Sequence, residues 1–247
     1  MTSKIPALLL LLSVISLHAQ DATNPALIPV QNTAKDNYNF DQRHAAILAQ
    51  KDALKPRIVL IGDSITMRWG GPPDKGRPRP SWQAAFGGIP TLNLGFGYDL
   101  TQNVLWRLDH GEFDNLSPKT VVILIGTNNI TGAPGSKAST PAQTVDGIME
   151  IIARVQTKSP HSKIIVTAVL PRGEQPANPF RPKIAEINTA LAKALAAKPE
   201  IKLIDISAAF LQPDGTLPKT LMPDGTHPGE EGYAIWAQAL IAAGVRN

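Results

Sequence analysis

The stretch Ile58-Val59-Leu60-Ile61-Gly62-Asp63-Ser64-Ile65 decides how this chain folds. Together with Arg57, its first half is short, branched and continuously apolar, as a strand covered on both faces would be. It stops at Gly62, and Ser64 then stands in the turn that would open a helix. Similar short runs return at Thr91-Leu92-Asn93-Leu94, Val121-Val122-Ile123-Leu124-Ile125, Ile164-Ile165-Val166-Thr167-Ala168-Val169 and Ile201-Lys202-Leu203-Ile204-Asp205. Between them lie helical patterns at Leu100 to Leu108, Thr140 to Thr157, Phe180 to Ala197 and Glu230 to Ala243. An earlier one runs from Tyr38 to Leu54, where Phe40, His44, Ile47, Leu48 and Lys51 recur at helical spacing. Strand followed by helix, repeated, predicts a mainly parallel five-stranded sheet with helices on both faces, a three-layer α/β/α sandwich. No internal repeat and no composition break divides it.

The chain has 247 residues and no cysteine. Lys4, the apolar run Ile5 to Leu17 and the Leu17-His18-Ala19 site predict a signal peptide over residues 1-19, because the run is short beside the roughly 20 residues of a spanning helix. The expectation is therefore an exported protein, periplasmic or extracellular, with no stable membrane insertion after cleavage. Residues 20-36 are low in periodicity and predict a flexible, loosely held arm, and residues 37-247 form one domain large enough to be stable without disulfides. Absence of cysteine removes thiol nucleophiles and thiolate metal sites. A formal charge of +4, without an arginine-aromatic strip, is too small to argue for nucleic acid.

In such sheets binding residues gather at the carboxyl ends of the strands. Gly62-Asp63-Ser64, Gly95-Phe96-Gly97-Tyr98-Asp99 and Gly126-Thr127-Asn128-Asn129 should converge there, and the Gly- and Pro-rich run from Gly70 to Pro80 is a loop starting near the same edge. A serine hydroxyl needs a base within hydrogen-bond reach. His227, between Thr226 and Pro228, lies off any apolar helical face, and Asp224 precedes it by one turn through Gly225. Such a carboxylate would orient the imidazole and stabilise its charged form. Read singly, Ser64 suits a helix cap and Asp224 a turn cap equally well. No second histidine or close carboxylate pair completes a zinc set, so neither a metal nor a cofactor is expected. Asn128 offers a side-chain amide to an oxyanion, or a bond to its own loop. Asp63 reads as a loop-ordering residue.

Taken in order, Gly62-Asp63-Ser64, Asn93-Leu94-Gly95-Phe96-Gly97, Gly126-Thr127-Asn128-Asn129 and Asp224-Gly225-Thr226-His227 resemble the four blocks of the SGNH, or GDSL, hydrolase family. Val104-Leu105-Trp106-Arg107-Leu108 and Leu170-Pro171-Arg172-Gly173-Glu174 resemble its subgroup of intracellular platelet-activating-factor acetylhydrolase catalytic subunits. The likeness covers about Pro56 to Ala243 and implies a flavodoxin-like sheet and a serine esterase. It implies Ser64 as nucleophile, His227 as base, Asp224 as its orienting acid, and an oxyanion hole of Ser64, Tyr98 and Asn128. Where that subgroup has two adjacent glycines before an aspartate, this chain has Gly97-Tyr98-Asp99. The backbone N-H survives the change, but tyrosine would be strained if the position needs positive φ. If it does not, the ring walls the pocket.

The resemblance suggests a short acyl group, acetate above all, in a family that includes lipases, thioesterases and carbohydrate esterases. Export points to an acetylated glycan rather than a lipid ester, with lipid-ester hydrolysis and non-catalytic glycan or lipid binding as the alternatives. Gly97, Trp69, Arg77 and Arg79 are the candidate substrate contacts, although Trp69 and Trp82 suit pinning of the loop they flank at least as well. No dinucleotide fingerprint or phosphate-loop lysine follows the first strand, which argues against a redox or nucleotide-binding protein. A small-molecule or glycan ester is thus the expected partner of a monomer or homodimer.

Overall fold

A computed structural model of the chain describes residues 24–36, 38–70 and 79–247. The expected signal peptide, and Lys75 and Arg77 of the loop, lie outside these residues. Five strands, β1 (Ile58–Gly62), β2 (Thr91–Gly95), β3 (Thr120–Leu124), β4 (Lys163–Thr167) and β5 (Ile201–Ile204), form one sheet in the order β2-β1-β3-β4-β5. Every pair is parallel. Parallel neighbours require crossovers, and helices supply them.

Because side chains alternate across a strand, the apolar runs feed two cores at once. Val59, Ile61, Val121, Ile123, Ile164 and Val166 face one side, where α1 (Phe40–Leu54), α4 (Thr101–Asp109), α6 (Pro141–Lys158) and α7 (Phe180–Ala196) cover them. Ile58, Leu60, Val122, Leu124 and Ile165 face the other, beneath α2 (Ser64–Gly70), α3 (Pro80–Phe86) and α8 (Glu230–Ala242). Helix α6 starts where Thr140 and Gln143 bond reciprocally to each other's backbone N-H, with Pro141 at the first helical position. That pattern satisfies donors the helix itself leaves unpaired.

Trp69, a candidate substrate contact, is instead fully buried in the second core. Its ring stacks on Trp236 at 4.5 Å and on Tyr233 at 5.4 Å, and its Nε1 donates to Ser81 Oγ at 2.9 Å. It ties α2 to α3 and α8 and cannot reach a ligand. Nor is the described part of the expected arm loose. Ala26 is fully buried, and buried Asn32 donates to the Gly97 carbonyl at 2.9 Å and to Asp99 Oδ1 at 2.8 Å. Among the described residues no helix is long and apolar enough to cross a membrane.

Sheet order reverses direction at β1, whose neighbours are β2 and β3. The carboxyl ends of these three strands therefore border a crevice of the kind where ligands bind in open α/β sheets.

Candidate active site

Ser64 opens α2 one residue beyond the end of β1. Gly62 is required there by close approach, since a Cβ on it would overlap the Leu124 carbonyl and the Thr66 hydroxyl. The buried Asp63 carboxylate accepts the Ile65 N-H at 2.8 Å, which shapes the turn, and burial pushes it up to about 7. Ser64 itself keeps 8% of its surface exposed.

Ser64 Oγ lies 2.8 Å from His227 Nε2, although 163 positions separate them in the chain. His227 Nδ1 lies 2.7 Å from Asp224 Oδ2. A carboxylate can only accept, so Nδ1 carries the proton and the Nε2 lone pair faces the serine hydroxyl. Asp224 Oδ1 also accepts the backbone N-H groups of Thr226 at 3.0 Å and His227 at 2.7 Å. Partial burial works to raise the Asp224 carboxyl, but these bonds and the imidazole outweigh it and bring it down to about 2. Desolvation lowers His227 below the ordinary imidazole value, Asp224 pulling it back up and the nearby Arg68 pushing it down. At neutral pH the ring is thus unprotonated at Nε2, as a base must be. Arg68 Nη1 stands 3.7 Å from Asp224 Oδ2.

The loop after β2 carries Tyr98 at φ 61° with its side chain 39% exposed. The position does need positive φ. Its neighbours hold it there: the Gly97 N-H donates to Tyr38 Oη at 2.8 Å, and Arg107 Nε donates to Asp99 Oδ2 at 2.9 Å. Arg107 and Asp99 are fully buried, and Glu112 on the far side of Arg107, also buried, accepts at 2.5 Å. Burial pushes the Asp99 carboxyl up while Arg107 and Asn32 pull it back. The Tyr98 and Ser64 N-H groups have no hydrogen-bond partner among the described residues. Asn128, on the short helix α5 (Thr127–Thr131), donates from Nδ2 to the Asp99 carbonyl at 3.0 Å, linking the third loop to the second.

Two further candidates change meaning. Gly97 is buried, and its α-carbon faces Asp36 and the Tyr38 ring, so the N-terminal segment occupies the space expected for substrate. Arg79 donates from Nε to the Arg68 carbonyl at 3.3 Å, lies over the Tyr233 ring at 5.1 Å and pairs with Glu230 at 4.0 Å. These contacts join α2, α3 and α8. Asn32, Asp99 and Arg107, which support the Tyr98 loop, are not marked as site residues by any linear pattern, because a sequence does not show that an arginine inside a helix is buried. Among the described residues no group of three or more histidine or acidic side chains is disposed to hold a metal. A cavity of about 600 Å³ between α7 and the segment after β5, lined by Pro171, Arg181, Asn188, Asp205 and Leu211, includes none of the residues that meet at Ser64.

The model of the GDSL-like Lipase/Acylhydrolase family matches residues 60–235. The human platelet-activating factor acetylhydrolase IB subunit alpha2 is 34% identical over 218 residues, covering 87% of this chain and 88% of that one. Among solved structures, a GDSL-like lipase from Bacteroides thetaiotaomicron superposes with a TM-score of 0.64 at 25% identity, covering 83% of this chain and 94% of that chain. A variant of an acetyl-xylooligosaccharide esterase from Geobacillus Stearmophilus superposes with a TM-score of 0.60 at 19% identity, covering 78% and 94%, a likeness of fold alone.

Proposed function

The chain belongs to the GDSL-like lipase/acylhydrolase family and is a serine hydrolase of the SGNH type, and from that premise we propose that it releases short acyl groups, acetate foremost, from lipid esters through an acyl-serine intermediate. The observation that carries this reading is the relay from Ser64 through His227 to Asp224, with 2.8 Å and 2.7 Å separations and a neutral base. Similarity to a protein named platelet-activating factor acetylhydrolase supports the acetyl half of it, and similarity to a GDSL-like lipase the lipid half. It moves the weight away from the glycan ester that export alone suggested. We retain export from the signal-like residues 1-19 as part of the proposal.

In the first step Ser64 Oγ bonds to the ester carbon while its proton passes to His227 Nε2. The carbonyl oxygen takes the negative charge and is met by the backbone N-H groups of Ser64 and Tyr98 and the Asn128 amide. Fixed donors at a developing oxyanion are worth about 10²–10³-fold each. The C-O bond to the alcohol then breaks, and the departing oxygen takes the proton from Nε2. Water repeats the sequence, giving its proton to Nε2 and its oxygen to the acyl carbon, and the proton returns to Ser64 as the acid leaves. Asp224 stays ionised throughout and holds the ring.

Acid release should be measured with the protein and its Ser64→Ala variant on acetyl, butyryl and octanoyl aryl esters, an acetylated phospholipid and acetylated xylan. We expect the acetyl ester to lead its series, the phospholipid to exceed xylan, and Ser64→Ala to fall by about 10³-fold or more. Equal rates from the two proteins would remove the esterase reading, whereas xylan above phospholipid would restore the glycan one.

A further inference from the structure

Leu170-Pro171-Arg172-Gly173-Glu174 follows β4 at the same sheet edge as the relay, and its arginine has no part in the mechanism above. The turn is held firmly. Arg181, on α7, donates from Nε to the Arg172 carbonyl at 2.7 Å and from Nη2 to the Gly173 carbonyl at 2.8 Å. Asn188, about two turns further along the helix, bonds both backbone groups of Val169 at 2.9 Å. Gly173 adopts φ 79°, with Asn178 packed where a side chain would project, and its N-H donates to the Gly225 carbonyl at 2.8 Å. The arginine turn is therefore stitched directly to the loop that carries Asp224 and His227.

On the opposite side Arg172 Nη1 donates to Thr127 Oγ1 at 3.2 Å, beside Asn128. The guanidinium thus stands between the loop offering an oxyanion donor and the loop offering the base. Among the described residues it makes that one side-chain hydrogen bond and has no carboxylate within 4 Å. Buried Arg107 has two carboxylates, Arg154 has two and Arg68 has Asp224, while Arg43 and Arg181 each donate to two backbone carbonyls; among the described residues the Arg172 guanidinium has only the Thr127 hydroxyl as a hydrogen-bond acceptor. Arg172 is partly buried, and desolvation pushes it below the usual guanidinium range, with Asp63 and Asp224 compensating only in part. The guanidinium also lies over the Phe180 ring at 5.7 Å, but a half-buried cation with no carboxylate partner costs stability, and a guanidinium fork matches phosphate and carboxylate oxygens in two-point geometry.

We propose that Arg172 is an anion-binding subsite for the alcohol half of the substrate, taking a phosphoryl or carboxylate group attached near the ester oxygen. This rests on the esterase reading. The assignment to the alcohol half follows from placement, because His227 Nε2 must reach the departing oxygen and Arg172 lies on the loop bonded to the His227 loop. A short acyl group carries no charge for it to meet.

The test uses three phenyl acetates whose para substituent is hydroxymethyl, carboxymethyl or phosphonomethyl, assayed at low ionic strength near pH 8. The native protein should favour the anionic esters in kcat/KM by about tenfold or more, and added salt should erode that preference. Arg172→Met should bring the ratio of anionic to neutral kcat/KM to near one, with Arg172→Lys recovering part of it. Inorganic phosphate should compete with the anionic esters in the native protein. A structural tether to Thr127 would move all three esters together and leave the ratio unchanged, and that result overturns the subsite. Should Arg172→Met not fold, the native protein decides alone: equal rates for the three esters together with no competition by phosphate overturn it. Ser64-dependent hydrolysis without anion preference defeats only the subsite, whereas no Ser64-dependent hydrolysis of any ester defeats the esterase reading itself. Preference for the phosphonate identifies a phosphate-bearing alcohol such as a lipid headgroup, and preference for the carboxylate an acidic sugar.

Discussion

Tyr98 at φ 61° is, with Lys55 and Asn115, one of the residues other than glycine that adopt positive φ among the described residues, and it is the one at the site. An L-residue in the left-handed region pays about 1 kcal/mol or more relative to glycine, and the half-exposed ring recovers little by packing. The strain persists because Tyr38, Asn32 and Arg107 bond the residues on either side of it. Replacing Tyr98 by glycine should therefore stabilise the fold by about 1 kcal/mol in a urea titration; no gain, or a loss, would mean that the ring packs usefully. Ser64, Asp224 and His227 were legible because their blocks flank strands or turns whose patterns are strong. The meaning of Trp69 and Gly97 was not. Nearness to a loop in sequence suggested exposure, and only the packing of α8 and of residues 24–36 shows what covers them.

At the scale of elements, the junction of β1 and α2 carries a buried acid directly before the nucleophile. With its folded value near 7 against about 3.9 in the unfolded chain, Asp63 stays protonated in the fold while the unfolded state ionises. Stability is therefore lost as pH rises between those two values and is level above them. Asp63→Asn keeps an acceptor for the Ile65 N-H and cannot ionise. The variant should match the native protein near pH 4 and exceed it by a few kcal/mol near pH 8, which thermal melts at the two pH values would check. A difference independent of pH would show that the carboxyl has another partner. Bounds of the five strands and of α1, α4, α6, α7 and α8 were readable to within one or two residues, since the apolar runs are uninterrupted and these helices are periodic, whereas α2, α3 and α5, of seven residues or fewer, are too short to show a period. The N-terminal segment misled because Asn32 finds Asp99 67 positions away, and polar contacts over that span leave no periodic trace.

Across the whole molecule, the sheet order and the site follow from one another. Reversal at β1 sets the ends of β2 and β3 on either side of Ser64, and the last crossover returns the chain so that the loop before α8 delivers His227. The Ser64, Asn93, Asn128 and His227 blocks could be ordered from sequence alone, and all four lie within residues 60–235, which the family model matches. Support from behind the site was not legible, because the buried Arg107 pairs and the arginine turn after β4 acquire their roles only when three loops meet.

The most direct test of the central claim is rapid acid quenching of the protein with an aryl acetate, followed by mass measurement of the intact chain and of its proteolytic peptides. The account predicts one acetyl group on the peptide containing Ser64, formed before steady-state turnover and missing in Ser64→Ala. Turnover of the ester at an undiminished rate by Ser64→Ala, with no acetylated peptide in either protein, would contradict it.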